Sequence, residues 1–367
     1  MSDFVKRRAR SEIFNLKPYV PGKPVEEVQR ELGIDNIIKM ASNENPLGPS
    51  PRAMKAVSQI LDQLHIYPDA NCYYLKQKLA RLLDFDTQGI IIGNGSDELL
   101  KLLAETFLNA GDEIIYAYPS FSEYDFTATI MGAKSVKIPL QNFRHDLNAM
   151  LTAVTPQTKI IYICNPNNPT GTTVTGNEID TFMAQVPEDI LVVFDEAYAE
   201  YVMNDSYTSG LKYVRTGRNA IVLRTFSKIY GLAALRIGYG ITTPEIAAAV
   251  ESVTEPFNVN MLAQVAATAA LDDKEHLQES KKINQLGKDF LYNEFEKMQL
   301  SYIPSETNFI FVDTGKDSKE VFQQLLKKGI IIRTGDIFDY PTFIRITVGT
   351  QEQNSRFAKE LRNILEV

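Results

Sequence analysis

The chain has 367 residues, 44% of them apolar, and carries 38 basic against 46 acidic side chains for a net charge of −8. That length suits two domains and a large core. The acidic balance argues against a nucleic-acid face, no run reaches the roughly 18 apolar residues of a membrane span, and Cys72 and Cys164 offer neither a disulfide framework nor metal spacing. Reduced thiols point to the cytoplasm, and the basic cluster at residues 6–10, with no apolar run behind it, reads as a solvated arm.

In chain order, residues 1–45 read as an extended arm, because the turn-rich stretch LKPYVPGKP disfavours regular helix. Helices are expected over 51–64, 73–83 and 97–109, the last closing at Gly111. Strands follow at 113–117, 135–138, 160–164, 191–194 and 220–223, with helical segments between most of them. Several are short apolar runs without polar alternation, the mark of a sheet buried on both faces. The pattern predicts an α/β fold: a mostly parallel sheet wrapped by helices, in a large domain of residues 46–272. Helices over 259–271 and 274–298 lead into a smaller α/β unit, residues 273–367. It has strands at 308–312, 330–333 and 343–348 and helices at 318–327 and 351–365.

Chemically useful residues cluster just past the strand ends, on the edge where such sheets bind ligands. Pro119-Ser120-Phe121 follows the first strand, NPNNPTG (165–171) the third, Asp195-Glu196-Ala197-Tyr198 the fourth, and Lys228 the fifth. Lys228 could be a solvated loop lysine; its chemical reading is an amine that attacks a cofactor carbonyl. Asp195 ends an apolar strand, where an unpaired carboxylate is costly. It suits either a buried ion pair or a partner for a protonated ring nitrogen. Tyr198 and Phe121 could equally be core, and Asn168 a turn residue. Gly95, Ser96 and Asp97 open a helix in a form that suits phosphate, and Arg236 could add a bidentate contact to it.

Taken together the motifs resemble the fold-type I aspartate-aminotransferase superfamily. The lysine stretch TFSKIYGLAALRIGY differs from that superfamily's S-[FS]-[SA]-K-x-x-x-L-x-x-x-R-x-G only in Thr225. Within it the chain is similar to the histidinol-phosphate aminotransferases. The motifs LKPYVPGKP, ASNENPLGP, YPD, GNGSDELL, PSFSEY, CNPNNPTG, FDEAYAEY, TNFIFVD and FIRITVGT occur in that family's order. The resemblance implies a seven-stranded-type sheet, pyridoxal 5'-phosphate as cofactor and transfer of an amino group between histidinol phosphate and 2-oxoglutarate. It implies that Lys228 bonds the cofactor and moves protons, that Asp195 pairs the ring nitrogen, and that Tyr198 and Asn168 hold the phenolic oxygen. Gly95, Ser96, Asp97, Thr225 and Arg236 match the phosphate cup, and Phe121 the ring stacker. Tyr19, Asn43, Asn168, Arg333 and Arg345 match substrate contacts. Tyr67 matches a residue lent by the second subunit, which implies a homodimer with shared sites, the arm of residues 1–45 joining the small domain and the dimer contacts. Between Arg333 and Arg345 the chain reads TGDIFDYPTFI, without the proline that often follows the first arginine, so an aromatic amino-acid aminotransferase or a phosphoamino-acid decarboxylase stays open as an alternative.

Overall fold

The computed structural model describes residues 3–16 and 22–366; Tyr19 lies outside them. Among these residues the strands are β1 (Ile38–Lys39), β2 (Ile90–Gly93), β3 (Glu113–Tyr118), β4 (Lys134–Pro139), β5 (Thr158–Cys164), β6 (Leu191–Asp195), β7 (Ala220–Thr225), β8 (Gly238–Ile241), β9 (Ser301–Ile303), β10 (Phe309–Asp313), β11 (Ile330–Ile331), β12 (Arg333–Thr334) and β13 (Phe343–Thr347). The central sheet has seven strands in the order β2-β8-β7-β6-β5-β3-β4. All pairings are parallel except those of β8, which runs against both β2 and β7. Its middle strands are buried on both faces, as their β-branched sequences demand. Ile161, Val192 and Val222 pack into one apolar layer, and Ile160, Val193 and Ile221 into the other.

Two expectations need correction, for residues 1–45 and 330–333, and two strands, β2 and β8, were not expected. Residues 1–45 are not simply extended: helices run over Asp3–Arg8 and Val25–Leu32. Pro24 sits at the N-cap of the second, where its missing N–H costs nothing, and Gly33 closes it in the left-handed region. Strand β2 is four residues of IIIG, too short for its period to separate strand from helix. Strand β8 reads GYGI, against strand propensity. Its glycines are required by packing: a Cβ on Gly238 would meet the Ser96 amide nitrogen at 2.5 Å. The expected strand at 330–333 is broken into β11 and β12, which join different sheets.

A second sheet, β12-β13-β10-β9, is antiparallel, and β1 pairs in parallel with β11. On β10 and β13 the even-numbered residues Ile310, Val312, Ile344 and Ile346 form a separate core with the helices Lys274–Lys297 and Gln351–Leu365. Strand alternation then turns Phe309, Phe311, Arg345 and Thr347 to the opposite face. Arg333 is the direct cross-strand partner of Arg345 and shares that face.

Candidate active site

The carboxyl ends of β2, β3, β5, β6 and β7 lie on one edge of the central sheet, and the antiparallel β8 begins there. Arg236, two residues ahead of β8, therefore arrives at the same edge as Lys228, three residues after β7. A cavity of about 390 Å³ opens there, within the size range of cofactor sites. Lys228, Asp195, Tyr198, Asn168, Ser96, Asp97, Phe121, Thr225 and Arg236 line it, with Asn43 and Arg345 from the facing side. Gly95 lies directly beside it. Tyr67 does not: it is 77% exposed and stacks on Phe257 at 4.7 Å between ring centres. Arg333 is not among the lining residues either.

One end of the cavity sets a guanidinium against the start of a helix. Gly95 (φ +87°) caps the helix Ser96–Phe107, and a Cβ there would meet the Arg236 guanidinium at 2.7 Å. Arg236 Nη2 donates to Asp97 Oδ2 at 3.0 Å, and Nη1 donates to the Ala233 carbonyl at 3.0 Å and the Ser227 hydroxyl at 3.4 Å. The Ser227 amide donates to Thr225 Oγ1 at 3.0 Å. Helix-start amides, two hydroxyls and a guanidinium form a donor set that fits a phosphate.

On the floor, Asp195 is buried. Its carboxylate accepts from the Tyr124 hydroxyl at 2.7 Å and from the Ala197 amide at 3.2 Å. Burial lifts its pKa to about 6, against the pull of these two donors. A buried carboxylate held only by neutral donors suits a protonated ring nitrogen. Its neighbour Glu196 points the other way and ion-pairs with Arg224 at 2.8 Å. Lys228 keeps some accessible surface and donates to the Ser42 carbonyl at 3.1 Å. Desolvation first, and then the charge of Arg345, lower its pKa to about 8. The Tyr198 hydroxyl accepts from Asn43 Nδ2 at 2.9 Å, and burial raises its pKa. Asn43 (φ +57°) is fixed in turn: its amide donates to Thr347 Oγ1 at 2.9 Å, and its carbonyl accepts from Asn308 at 2.9 Å.

The two asparagines of NPNNPTG divide the work. Asn167 is fully buried and ties loops together, accepting from Ser120 Oγ at 2.8 Å and donating to Thr170 Oγ1 at 3.0 Å. Asn168 faces the cavity and accepts from Arg345 Nη1 at 2.5 Å, while Arg345 Nη2 donates to the Ala41 carbonyl at 2.7 Å. Sequence reasoning gave no role to Tyr124, which lies three residues past Phe121 in PSFSEY, in the first turn of the helix Glu123–Ile130. Ser227, next to the lysine, is a further lining residue to which the sequence assigned no site role, and so is Cys164, whose place across from Asp195 depends on the β5–β6 register.

Fold and site together define a fold-type I α/β transferase. The chain belongs to the aminotransferase class I and II family, whose model matches residues 35–361. It is 58% identical to the histidinol-phosphate aminotransferase of Moorella thermoacetica, covering 98% of this chain and 93% of that protein. It is 50% identical to that of Caldicellulosiruptor saccharolyticus over 97% of this chain and 99% of the relative. Among solved structures it resembles histidinol-phosphate aminotransferase from Sinorhizobium meliloti in complex with pyridoxal-5'-phosphate, with a TM-score of 0.91, 30% identity and 98% of each chain covered.

Proposed function

We propose that the protein transfers the amino group between histidinol phosphate and 2-oxoglutarate, a step of L-histidine biosynthesis, with pyridoxal 5'-phosphate as its cofactor. The observation that carries this reading is the convergence of Lys228, Asp195, Asn168, Tyr198 and Arg236 on one cavity. The names and close similarity of the two relatives support the choice of donor. Bound pyridoxal phosphate supplies a carbonyl for the amine of Lys228 and a ring that delocalises the electrons of a broken bond at the substrate α-carbon. Ser96, Thr225 and Arg236 hold its phosphate, with Gly95 and Asp97 at the helix start; Asp195 holds the ring-nitrogen proton. Tyr198 and Asn168 hold the phenolic oxygen, and Phe121 flanks the ring. Lys228, neutral above about pH 8, takes the α-proton and returns it as general base and acid. Arg345 binds the anionic end of either substrate, with Arg333 beside it across the sheet to serve phosphate. Asn43 orients Tyr198 and borders the substrate.

A donor screen with 2-oxoglutarate tests the reading. Histidinol phosphate should exceed phenylalanine and tyrosine, and release of carbon dioxide would mark a decarboxylase instead. Arg333→Ala should cost histidinol phosphate about tenfold to a hundredfold in kcat/KM, as loss of one charge-assisted contact does, and phenylalanine less. Equal losses on all donors would favour the aromatic aminotransferase.

The reading extends to a cytoplasmic homodimer of two-lobed subunits. The lobes are residues 46–272 and 273–367, with residues 1–45 joined to the smaller. Support for the dimer comes from the surface around Tyr67: Leu61, Leu64, Ile66, Tyr67, Tyr73 and Tyr74 are each more than half exposed, a patch that suits burial against a second copy. Tyr67 then completes the partner's site. Mixing inactive Lys228→Ala subunits with impaired Tyr67→Ala subunits should restore about a quarter of the parental rate. Half of the randomly mixed dimers are hybrids, and each hybrid has one intact site. No recovery after demonstrated subunit exchange would count against a shared Tyr67.

A further inference from the structure

Asp195, Cys164 and Tyr162 belong to the same face of the central sheet, fixed by alternation along β5 and β6 and by the pairing of Cys164 with Asp195. The helix Glu123–Ile130 covers that face and places Tyr124 against it. Tyr124 is fully buried and stacks on Tyr162 at 4.5 Å with ring planes 12° apart. It meets Tyr116 and Phe121 edge-on at 5.8 Å each. A phenol confined on three sides has little rotational choice, and its oxygen lies 2.7 Å from Asp195 Oδ2, a short, strong hydrogen bond to a carboxylate.

We propose that Tyr124 is a positioning residue for Asp195: its buried hydroxyl fixes the orientation of the carboxylate and keeps it ionised, ready to hold a ring-nitrogen proton. Phe121, on the same helix approach, lines the cavity directly, whereas Tyr124 acts only through Asp195. The division explains why this carboxylate can stay buried. Burial opposes its charge, and the Tyr124 hydroxyl is the largest force in its favour. The Tyr162 hydroxyl lies in the same stack and, among the described residues, makes no hydrogen bond to Asp195, so it shares the packing without the contact to the carboxylate and serves as a built-in control.

The inference rests on Asp195 as partner of the ring nitrogen, and the experiment separates the two. In cofactor-free protein the carboxyl carbon of Asp195 is titrated by NMR, its signal assigned through Asp195→Asn. Tyr124→Phe should raise its midpoint by about one pH unit, the effect of one hydrogen bond to the charged form. Tyr162→Phe should leave it unchanged. If Tyr124→Phe does not fold, 3-fluorotyrosine at position 124 keeps the shape, strengthens the donor and should lower the midpoint. In the loaded enzyme, Tyr124→Phe should reduce kcat about tenfold, leave KM nearly unchanged and shift the pH dependence of the cofactor's visible absorption. An Asp195 midpoint that moves with neither substitution, or moves equally with Tyr162→Phe, would overturn the proposal. A fully active Asp195→Asn enzyme would instead overturn the role of Asp195 itself.

Discussion

A Lys228→Met enzyme is expected to turn over at least about ten-thousandfold more slowly than the parent, since on the proposed mechanism it would lose both the covalent attachment and the proton carrier. Freed of cofactor, the same protein should be the more stable of the two at neutral pH. The unfolded chain holds the lysine proton to about pH 10.4, whereas the folded protein releases it near 8. Between those values the unfolded state binds more protons, so this group makes stability rise with pH across the window and costs stability below it. Methionine keeps the aliphatic stem and removes the charge, so at pH 7 it should recover on the order of 2 kcal/mol, discounted for the water that reaches the cavity. Chemical denaturation at pH 7 and pH 10 checks this: the advantage should shrink at the higher pH. Borohydride treatment of the loaded parent should leave the cofactor on the Lys228 peptide, and an adduct on another lysine would sink the mechanism.

Much of this site was legible in sequence because each component follows an apolar strand, and strand ends in a parallel sheet share an edge. Lys228, Asp195, Asn168 and Phe121 could be placed that way without knowing the strand order. Arg236 could not: it reaches the edge only because β8 runs backwards, and GYGI conceals that strand behind glycines needed for contact with the Ser96 helix. The missed strand β2 is the same difficulty in a four-residue apolar run. Tyr124 was invisible for another reason. A tyrosine on a helix face reads as core, and it is core; only the register that sets Cys164 beside Asp195 brings its hydroxyl to a carboxylate. The helix Val25–Leu32 was obscured by prolines that end at residue 24, just before the amphipathic VEEVQREL begins.

Asp195→Asn should have the second largest effect, and it should fall on turnover far more than on cofactor affinity. Ser96, Thr225 and Arg236, the residues proposed to hold the phosphate, are unchanged by the substitution, so affinity should change by about tenfold at most. On the proposed role, what would be lost is the negative charge opposite the ring nitrogen, a buried pair whose breaking costs about 3–5 kcal/mol and so would reduce kcat roughly a hundredfold to several thousandfold. Stability should move the other way in the cofactor-free protein. The Asp195 pKa, near 6 when folded, lies above the 3.9 of an unfolded chain, so the folded state binds more protons between these values. Its favourable contribution is complete below pH 3.9 and is lost as pH rises through 6. At pH 7 the ionised carboxylate is therefore a net cost of about 2–3 kcal/mol that asparagine removes, and the gain should fade on acidification toward pH 4. The Lys228 and Asp195 substitutions would thus each stabilise the empty protein while disabling the enzyme, the pattern of a site whose two central charges are held for chemistry at the expense of the fold. Near wild-type transamination by Asp195→Asn, or an unchanged denaturation midpoint at pH 7, would mean that Asp195 is a structural carboxylate.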